Sequence, residues 1–401
     1  MYKRQVCTGT ATTSAYLQGA KYGNGEFIQI HPTAVPGRDK LRLMSESARG
    51  EGGRVWVPRR ANDQRDPKEI PAEERLYFLE EKYPRFGNLV PRDVGAREIY
   101  DICVNQGLGV HGDMKVYLDL THHSREFLDR RLGGILEIYE KFTGVDPREE
   151  PMEIFPAVHY SMGGIWTDYT RTADGFIDHQ SPRNQMTSME GLYAAGEADY
   201  QYHGANRLGT NSLLDIVVFG RAAAHRASEV LTPGATHAPV SEQSTDRALE
   251  RLDRMRYAKG NRQPGELRLD MQQAMQKYAA VFRSGESLTD GVKTMDSIAG
   301  DMNNIGIQDR SLVWNTDLIE AMELQNLMSQ ALVTIRSAEQ RKESRGAHAH
   351  EDFTERDDEN WMKHTVMWLD DDNKSSVAYR DVTMTTLTNE VESIPPVARV
   401  Y

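Results

Sequence analysis

Two cysteines, Cys7 and Cys103, are all that the 401 residues contain. That scarcity argues for a reducing compartment and excludes an iron–sulfur cluster held by this chain's own thiolates. No apolar run approaches the ~20 residues that a membrane helix needs, so the chain itself is not expected to span a bilayer. Behind Met1-Tyr-Lys-Arg-Gln there is no apolar region, and no signal peptide is expected. Basic residues are the minority: 48 Lys and Arg against 60 Asp and Glu give a net charge of −12, which excludes a general affinity for nucleic acid. The His122-His123 pair lacks a third ligand at helical spacing, so it reads as two solvated loop residues and no metal site is expected. Also missing is a strand, Gly-x-Gly-x-x-Gly turn and helix, the unit that sets a dinucleotide pyrophosphate on a helix N-terminus. Val6-Cys-Thr-Gly-Thr10 reads only as a strand running into a glycine turn.

What is present is a chain long enough for two or three domains with a real core. Its most informative stretch is Gly191-Leu-Tyr-Ala-Ala-Gly-Glu197, followed by His203-Gly-Ala-Asn-Arg-Leu-Gly-Thr-Asn-Ser-Leu-Leu-Asp215. The first part reads as a short apolar strand ending at Gly196, with Glu197 at its carboxyl end, where α/β sheets place ligand contacts. A polar loop with His203 and Arg207 comes next, and Asn211 or Ser212 is a plausible N-cap for an apolar helix whose start favours electron-rich ligand atoms. Upstream, residues 26–30 form a β-type run, and His31-Pro-Thr33 reads as a turn after it. Glu46 and Arg49, three apart, share one face of a helical turn; on the residues alone this is a surface ion pair of little worth. Pro91-Arg92-Asp93 reads as the start of a helix from about Val94 to Gln106, with Asp93 capping and Arg92 a surface charge. Residues 116–120 suggest a strand, and 130–142 an amphipathic helix with Leu132, Leu136, Tyr139 and Phe142 inward. A strand then runs to Val158, with His159 and the Gly163-Gly164 pair behind it. Beyond a linker near Thr232-Pro-Gly234, residues 246–341 turn helical, with Leu267, Met271, Met275 and Tyr278 in register, as are Leu324, Leu327, Met328, Ala331 and Ile335.

Together these stretches resemble the flavoprotein subunit of succinate dehydrogenases and fumarate reductases, with L-aspartate oxidases as near relatives. GLYAAGE and HGANRLGTNSLLD carry the resemblance first. His31-Pro-Thr33, residues 43–53, Val90-Pro-Arg-Asp-Val94, residues 152–165 and residues 344–361 carry it further. It implies α/β plus α architecture: a partial FAD-binding Rossmann-like domain with an inserted α+β capping domain, then a helical bundle and an extended C-terminal tail. The implied boundaries are 1–30 and 153–231 for the FAD-binding parts, 31–152 for the capping (substrate) domain, 240–343 for the helical domain and 344–401 for the tail. Residues 344–361 would form a buried polar clasp. The first third of such a subunit, with its pyrophosphate-binding turn, is expected to be absent.

The resemblance further implies that the chain takes part in oxidation of succinate to fumarate or the reverse, with FAD as cofactor. Arg92 would pass the proton, relayed through Glu46 and Arg49. His31 and Ser45 would hold one carboxylate of a C4 dicarboxylate, and His159 and Arg207 the other. Glu197, Asn206, Ser212 and Leu213 would contact FAD. An iron–sulfur subunit and a cytochrome b membrane anchor are the implied partners, and the implied location is the cytoplasmic face of the bacterial inner membrane, peripherally attached. The alternatives are an L-aspartate oxidase, or a catalytically incomplete fragment unable to bind FAD alone.

Overall fold

The computed structural model describes residues 7–37, 42–200, 202–236, 238–370 and 374–400. The chain divides into two compact units: residues 28–160 with 396–400, and residues 7–27 with 161–395.

The first unit is built on a six-stranded sheet. Its order in space is Arg42–Leu43, Ile28–Val35, Met152–Ser161, Val116–Asp119, Arg54–Pro58, Arg75–Leu76. Val55 pairs with Leu118, and Leu118 with Met152, in antiparallel register. These side chains and Ile154 form one face of the core. The helix Arg125–Thr143 covers it with Leu128, Leu132, Leu136 and Tyr139, all buried. Ser124 caps this helix by accepting from the Phe127 N–H, and Gly144, at φ 78°, ends it in the left-handed region. Phe142, expected inward, is 53% exposed: it lies one residue off the buried stripe, beneath the Arg42 guanidinium.

Two local expectations in this unit are corrected. The β-run does not end before His31; it extends as Ile28–Val35 and carries His31-Pro-Thr33 inside the strand. Proline's fixed φ is compatible with extended backbone, and the Pro32 ring packs beside Gly95 of the neighbouring helix. That helix is Arg92–Tyr100, continued by a wider π turn, Asp101–Asn105. It starts two residues early because extended Pro91 leads straight into it. Asp93 does not cap it; its carboxylate pairs with Arg97 at 3.2 Å.

The second unit contains the helices Pro264–Tyr278, Gly285–Asp301 and Thr316–Gln340, packed through Leu267, Met271, Met295, Leu324, Met328 and Ile335. The methionines fill core space, as their helical spacing predicts. A four-stranded antiparallel sheet runs Ser375–Asp381, Lys363–Leu369, Tyr22–Gly23, Gly164–Ile165. Val6 lies outside the described residues; from Cys7 onward the first element is a helix, Thr10–Tyr16, preceded by Gly9 at φ 70°. Gly191 to Gly196 is not a strand. Only Tyr193 makes a bridge, to Met186, and Gly196–Ala198 is a 3-10 turn. The Ala194-Ala195 backbone finds no neighbouring strand among the described residues, and without a ladder its apolar character does not make it one.

Residues 344–361, expected as a buried polar clasp, hold the buried His348, whose Nδ1 lies 2.7 Å from Arg283 Nη1, and Arg345, which donates to Glu343 and Asp358 at 2.7 Å; a second clasp, fully buried, is built on residues outside that stretch. Arg341, Glu26 and Glu343 all have side chains 0% exposed, with Arg341 Nε 2.6 Å from Glu26 Oε1 and Nη1 2.8 Å from Glu343 Oε1. Close by, His364 stands edge-on to Trp166 and Tyr200 and shares a 3.0 Å hydrogen bond with Asn24. Burial, then the charges of Arg380 and Arg341, push its pKa down to about 4. The unfolded chain therefore binds the proton more readily than the folded one between about pH 6.5 and 4. Stability is full above that window and falls as pH drops through it. Substituting Gln for His364 is expected to flatten this acid limb in thermal unfolding; an unchanged slope would mean that other groups set it.

Candidate active site

In the first unit two of the sequence-predicted residues, Arg49 and Arg92, converge on the carboxylate of a third, Glu46. Glu46 stands at the N-cap of a single helical turn, Ser47–Gly50. The turn is locked by Gly53: a Cβ there would lie 2.5 Å from the Ala48 carbonyl oxygen, so no other residue fits without moving the backbone. Arg49 donates Nη2 to Glu46 Oε1 at 3.0 Å, and Nη1 to the carbonyls of Asn88 and Val90 at 2.7 and 3.1 Å. From the start of the Arg92–Tyr100 helix, Arg92 donates Nη2 to Glu46 Oε2 at 2.9 Å, Nε to Oε1 at 3.3 Å, and Nη1 to Gln29 Oε1 at 3.0 Å. One carboxylate thus bridges two guanidiniums.

Burial decides what this arrangement can do. The side chains of Arg49 and Arg92 are 2% and 8% exposed, and that of Glu46 is 37% exposed. Neither arginine is a surface charge, and Glu46–Arg49 is not a surface pair, so both bland readings fail. Burial pushes the Arg49 pKa down, Glu46 opposes this, and the charge of Arg92 adds to it. Water reaches the set through the carboxylate. The two arginines are its desolvated partners.

His31 and His159 sit on neighbouring strands with ring centroids 5.0 Å apart, edge to face. His31 is buried, and its Nδ1 lies 3.2 Å from Thr33 N and 3.1 Å from Thr33 Oγ1, which fixes the ring. The Thr33 hydroxyl in turn donates to the Met44 carbonyl at 2.9 Å. Ser45 Oγ donates to Ser47 Oγ and accepts from Ser47 N at the start of the same turn. Gln29 escaped the sequence reading. Its signal was alternation: it lies two residues before His31, hence on the same face of the strand, and it is a fully buried polar side chain.

In the second unit, Arg207 is buried and donates Nη1 to Ser212 Oγ at 3.0 Å. Ser212 lies inside the helix Asn211–Val230, not at its cap. The N-cap position is Thr210, at φ 70°, and no side chain caps the turn. His203 Nε2 and Asp215 Oδ2 stand 3.1 Å apart, joining the two ends of the HGANRLGTNSLLD stretch, a pairing the sequence reading did not make. Glu197 accepts from Ser161 N at 3.2 Å. Asn206 is half-buried in the loop, whereas Leu208, Leu213 and Leu214 are 65, 62 and 62% exposed. An uncapped helix start that donates, exposed leucines, and a carboxylate acceptor and an amide nearby in sequence are a set that fits a flavin, a ring system with a polar edge and apolar faces.

Comparison with known proteins agrees with this chemistry. Residues 2–213 match the FAD binding domain family, and residues 268–401 match the fumarate reductase flavoprotein C-terminal family. The first match does not confirm the expected absence of a nucleotide-binding half. The chain is 44% identical over 398 residues to a succinate dehydrogenase flavoprotein subunit of Rickettsia conorii, covering 99% of this chain and 63% of the relative. It is 45% identical to that of Bacillus subtilis, covering 90% of this chain and 58% of the relative. It therefore spans less than two thirds of the length of these curated relatives. Among solved structures, an E. coli quinol fumarate reductase FrdA chain is similar with a TM-score of 0.79 at 31% identity, covering 98% of this chain and 64% of that one. Mycobacterium smegmatis Sdh1 is similar with a TM-score of 0.70 at 27% identity, covering 94% and 58%. With the FAD binding domain matched over half its length and the fumarate reductase C-terminal region matched beyond it, the chain belongs to the family of succinate dehydrogenase and fumarate reductase flavoprotein subunits.

Proposed function

We propose that this chain takes part in the FAD-dependent interconversion of succinate and fumarate. The observation that carries this reading is the Arg92–Glu46–Arg49 set. Arginine is a poor acid in water, because its pKa exceeds about 12. Buried beside a carboxylate that solvent can reach, Arg92 can hand a proton to a substrate carbon or take one from it while Glu46 restores the balance. Gln29 holds the other arm of the guanidinium in place. His31, His159 and Ser45 of the first unit, the two histidines in ring contact, and Arg207 of the second are the residues assigned to the carboxylates of the four-carbon diacid. Bound FAD supplies the hydride chemistry. Glu197, Asn206, Ser212 and Leu213 are the residues that would hold it.

In this reading, residues 31–152 are the capping (substrate) domain between FAD-binding parts 1–30 and 153–231. Residues 240–343 are the helical domain and 344–401 the tail. Electrons leave through an iron–sulfur subunit to a cytochrome b anchor and quinone, with the chain peripheral at the cytoplasmic face of the bacterial inner membrane. In support, a relative with a TM-score of 0.80 is a quinol-fumarate reductase solved with menaquinol. No helix among the described residues is long and apolar enough to cross a membrane. The test is dye reduction by the full-length protein. Succinate is expected to drive it and aspartate is not. Aspartate-driven reduction would replace this reading with an L-aspartate oxidase.

A further inference from the structure

The chain that leaves the first unit after Tyr160 rejoins it at Pro396. There Arg399 lays its guanidinium on Asp93, with Nη2 2.8 Å from Oδ2 and Nη1 3.2 Å from Oδ1. This is the two-pronged geometry in which a guanidinium fixes a carboxylate in direction as well as position. The Asp93 side chain is 2% exposed, that of Arg399 44%. Asp93 directly follows Arg92, and both lie in the first turn of the Arg92–Tyr100 helix. No side chain caps that turn, since Pro91 occupies the N-cap.

We propose that Arg399 is a positioning residue for Arg92. Two physical reasons support it. First, the Arg97 contact to Asp93 Oδ2, at 3.2 Å, lies within the same helix and moves with it. Arg399 reaches the same carboxylate from residues 396–400 and ties the first turn to a distant part of the chain. Second, Asp93 is the residue next to Arg92 in the first helical turn, so whatever fixes its carboxylate also fixes the backbone from which Arg92 reaches Glu46. Arg399 and Arg97 occupy both oxygens of that carboxylate, and Arg92 bonds Glu46 and Gln29. A shift of about 1 Å in a catalytic group can cost on the order of 10²-fold in rate, so a contact that never touches substrate can set turnover.

The inference rests on the proton-transfer reading above, and one experiment separates the two. In the full-length protein, kcat per bound flavin and KM for succinate are measured for wild type, Arg399→Ala and Arg399→Lys. Arg399→Ala is expected to lower kcat at least about tenfold with KM and flavin content near wild type. Arg399→Lys keeps the charge but loses the fork and is expected to lose only about threefold. A purely structural contact would lower flavin content or thermal stability and leave kcat per flavin alone; that result overturns the proposal. Should the alanine variant fail to fold, the lysine variant decides: turnover equal to wild type sinks the proposal, and a several-fold loss with unchanged KM upholds it. Wild type without succinate activity would sink the proposed function itself, a different outcome from an active enzyme indifferent to Arg399.

Discussion

Exchanging Arg92 for Gln is expected to lower succinate turnover by about 10³-fold while flavin content and dicarboxylate binding stay near wild type. The size follows from the geometry. A glutamine side chain cannot reach both Glu46 and Gln29, and it has no acidic proton to pass. Binding survives because the residues assigned to the carboxylates, His31, His159, Ser45 and Arg207, are untouched. Folding is expected to survive as well: Glu46 keeps its 3.0 Å bond to Arg49 and stays in contact with water, so no carboxylate is stranded. Glu46→Gln should cost less than Arg92→Gln, because the Glu46 position is open to water that can carry part of the proton traffic. Dye-linked turnover measured beside a fumarate titration of the flavin spectrum separates the two effects. More than a tenth of wild-type turnover in Arg92→Gln would make Arg92 a structural charge at a helix start. The proton-transfer assignment would then be wrong.

Local pattern made much of this molecule readable. Leu132, Leu136 and Tyr139 recur at helical spacing and are buried; Leu267 and Met271 recur likewise and anchor the helical core. Glu46 and Arg49 were legible because three residues apart on a helical turn is a geometric statement, and they do bond. What failed was whatever depends on a distant partner. His31-Pro-Thr33 looks like a turn until a strand on either side turns it into sheet. Gly191 to Gly196 looks like a strand, but a strand exists only when another pairs with it. Asp93 looks like a cap because aspartate near a helix start usually is one; here Arg97 and Arg399 claim its carboxylate. Gln29 was missed because alternation gives only its face of the strand, while its partner, an arginine 63 positions away, is brought to it by the fold. The resemblance supplied roles for residues; it could not supply such contacts.

Replacing Arg341 by Met is expected to destabilise the folded chain by about 3–5 kcal/mol, because it removes one partner of a buried ionic group and leaves the others. Every N–H of the guanidinium is in use. Nε donates to Glu26 Oε1 at 2.6 Å, Nη1 to Glu343 Oε1 and the Trp361 carbonyl at 2.8 and 3.2 Å, and Nη2 to the Lys363 carbonyl and Thr365 Oγ1 at 2.7 and 3.1 Å. Methionine matches the length of the side chain and satisfies none of these acceptors. Glu343 retains Arg345 at 2.7 Å, whereas Glu26 Oε1 keeps only the Thr365 hydroxyl, at 2.9 Å, among its side-chain donors here. A carboxylate 0% exposed must then stay charged without its counter-ion or take up a proton, and either is costly. For a chain of 401 residues, thermal unfolding should show a Tm lower by roughly 4–6 °C. Adding Glu26→Gln to Arg341→Met should recover part of that loss, since the second change removes the stranded charge. A Tm within about 2 °C of wild type for Arg341→Met would mean that the clasp is hydrated in solution. Failure of Glu26→Gln to restore any stability would instead place the cost in the lost backbone carbonyl contacts at Trp361 and Lys363, so the pair of variants assigns the energy to charge or to hydrogen bonding.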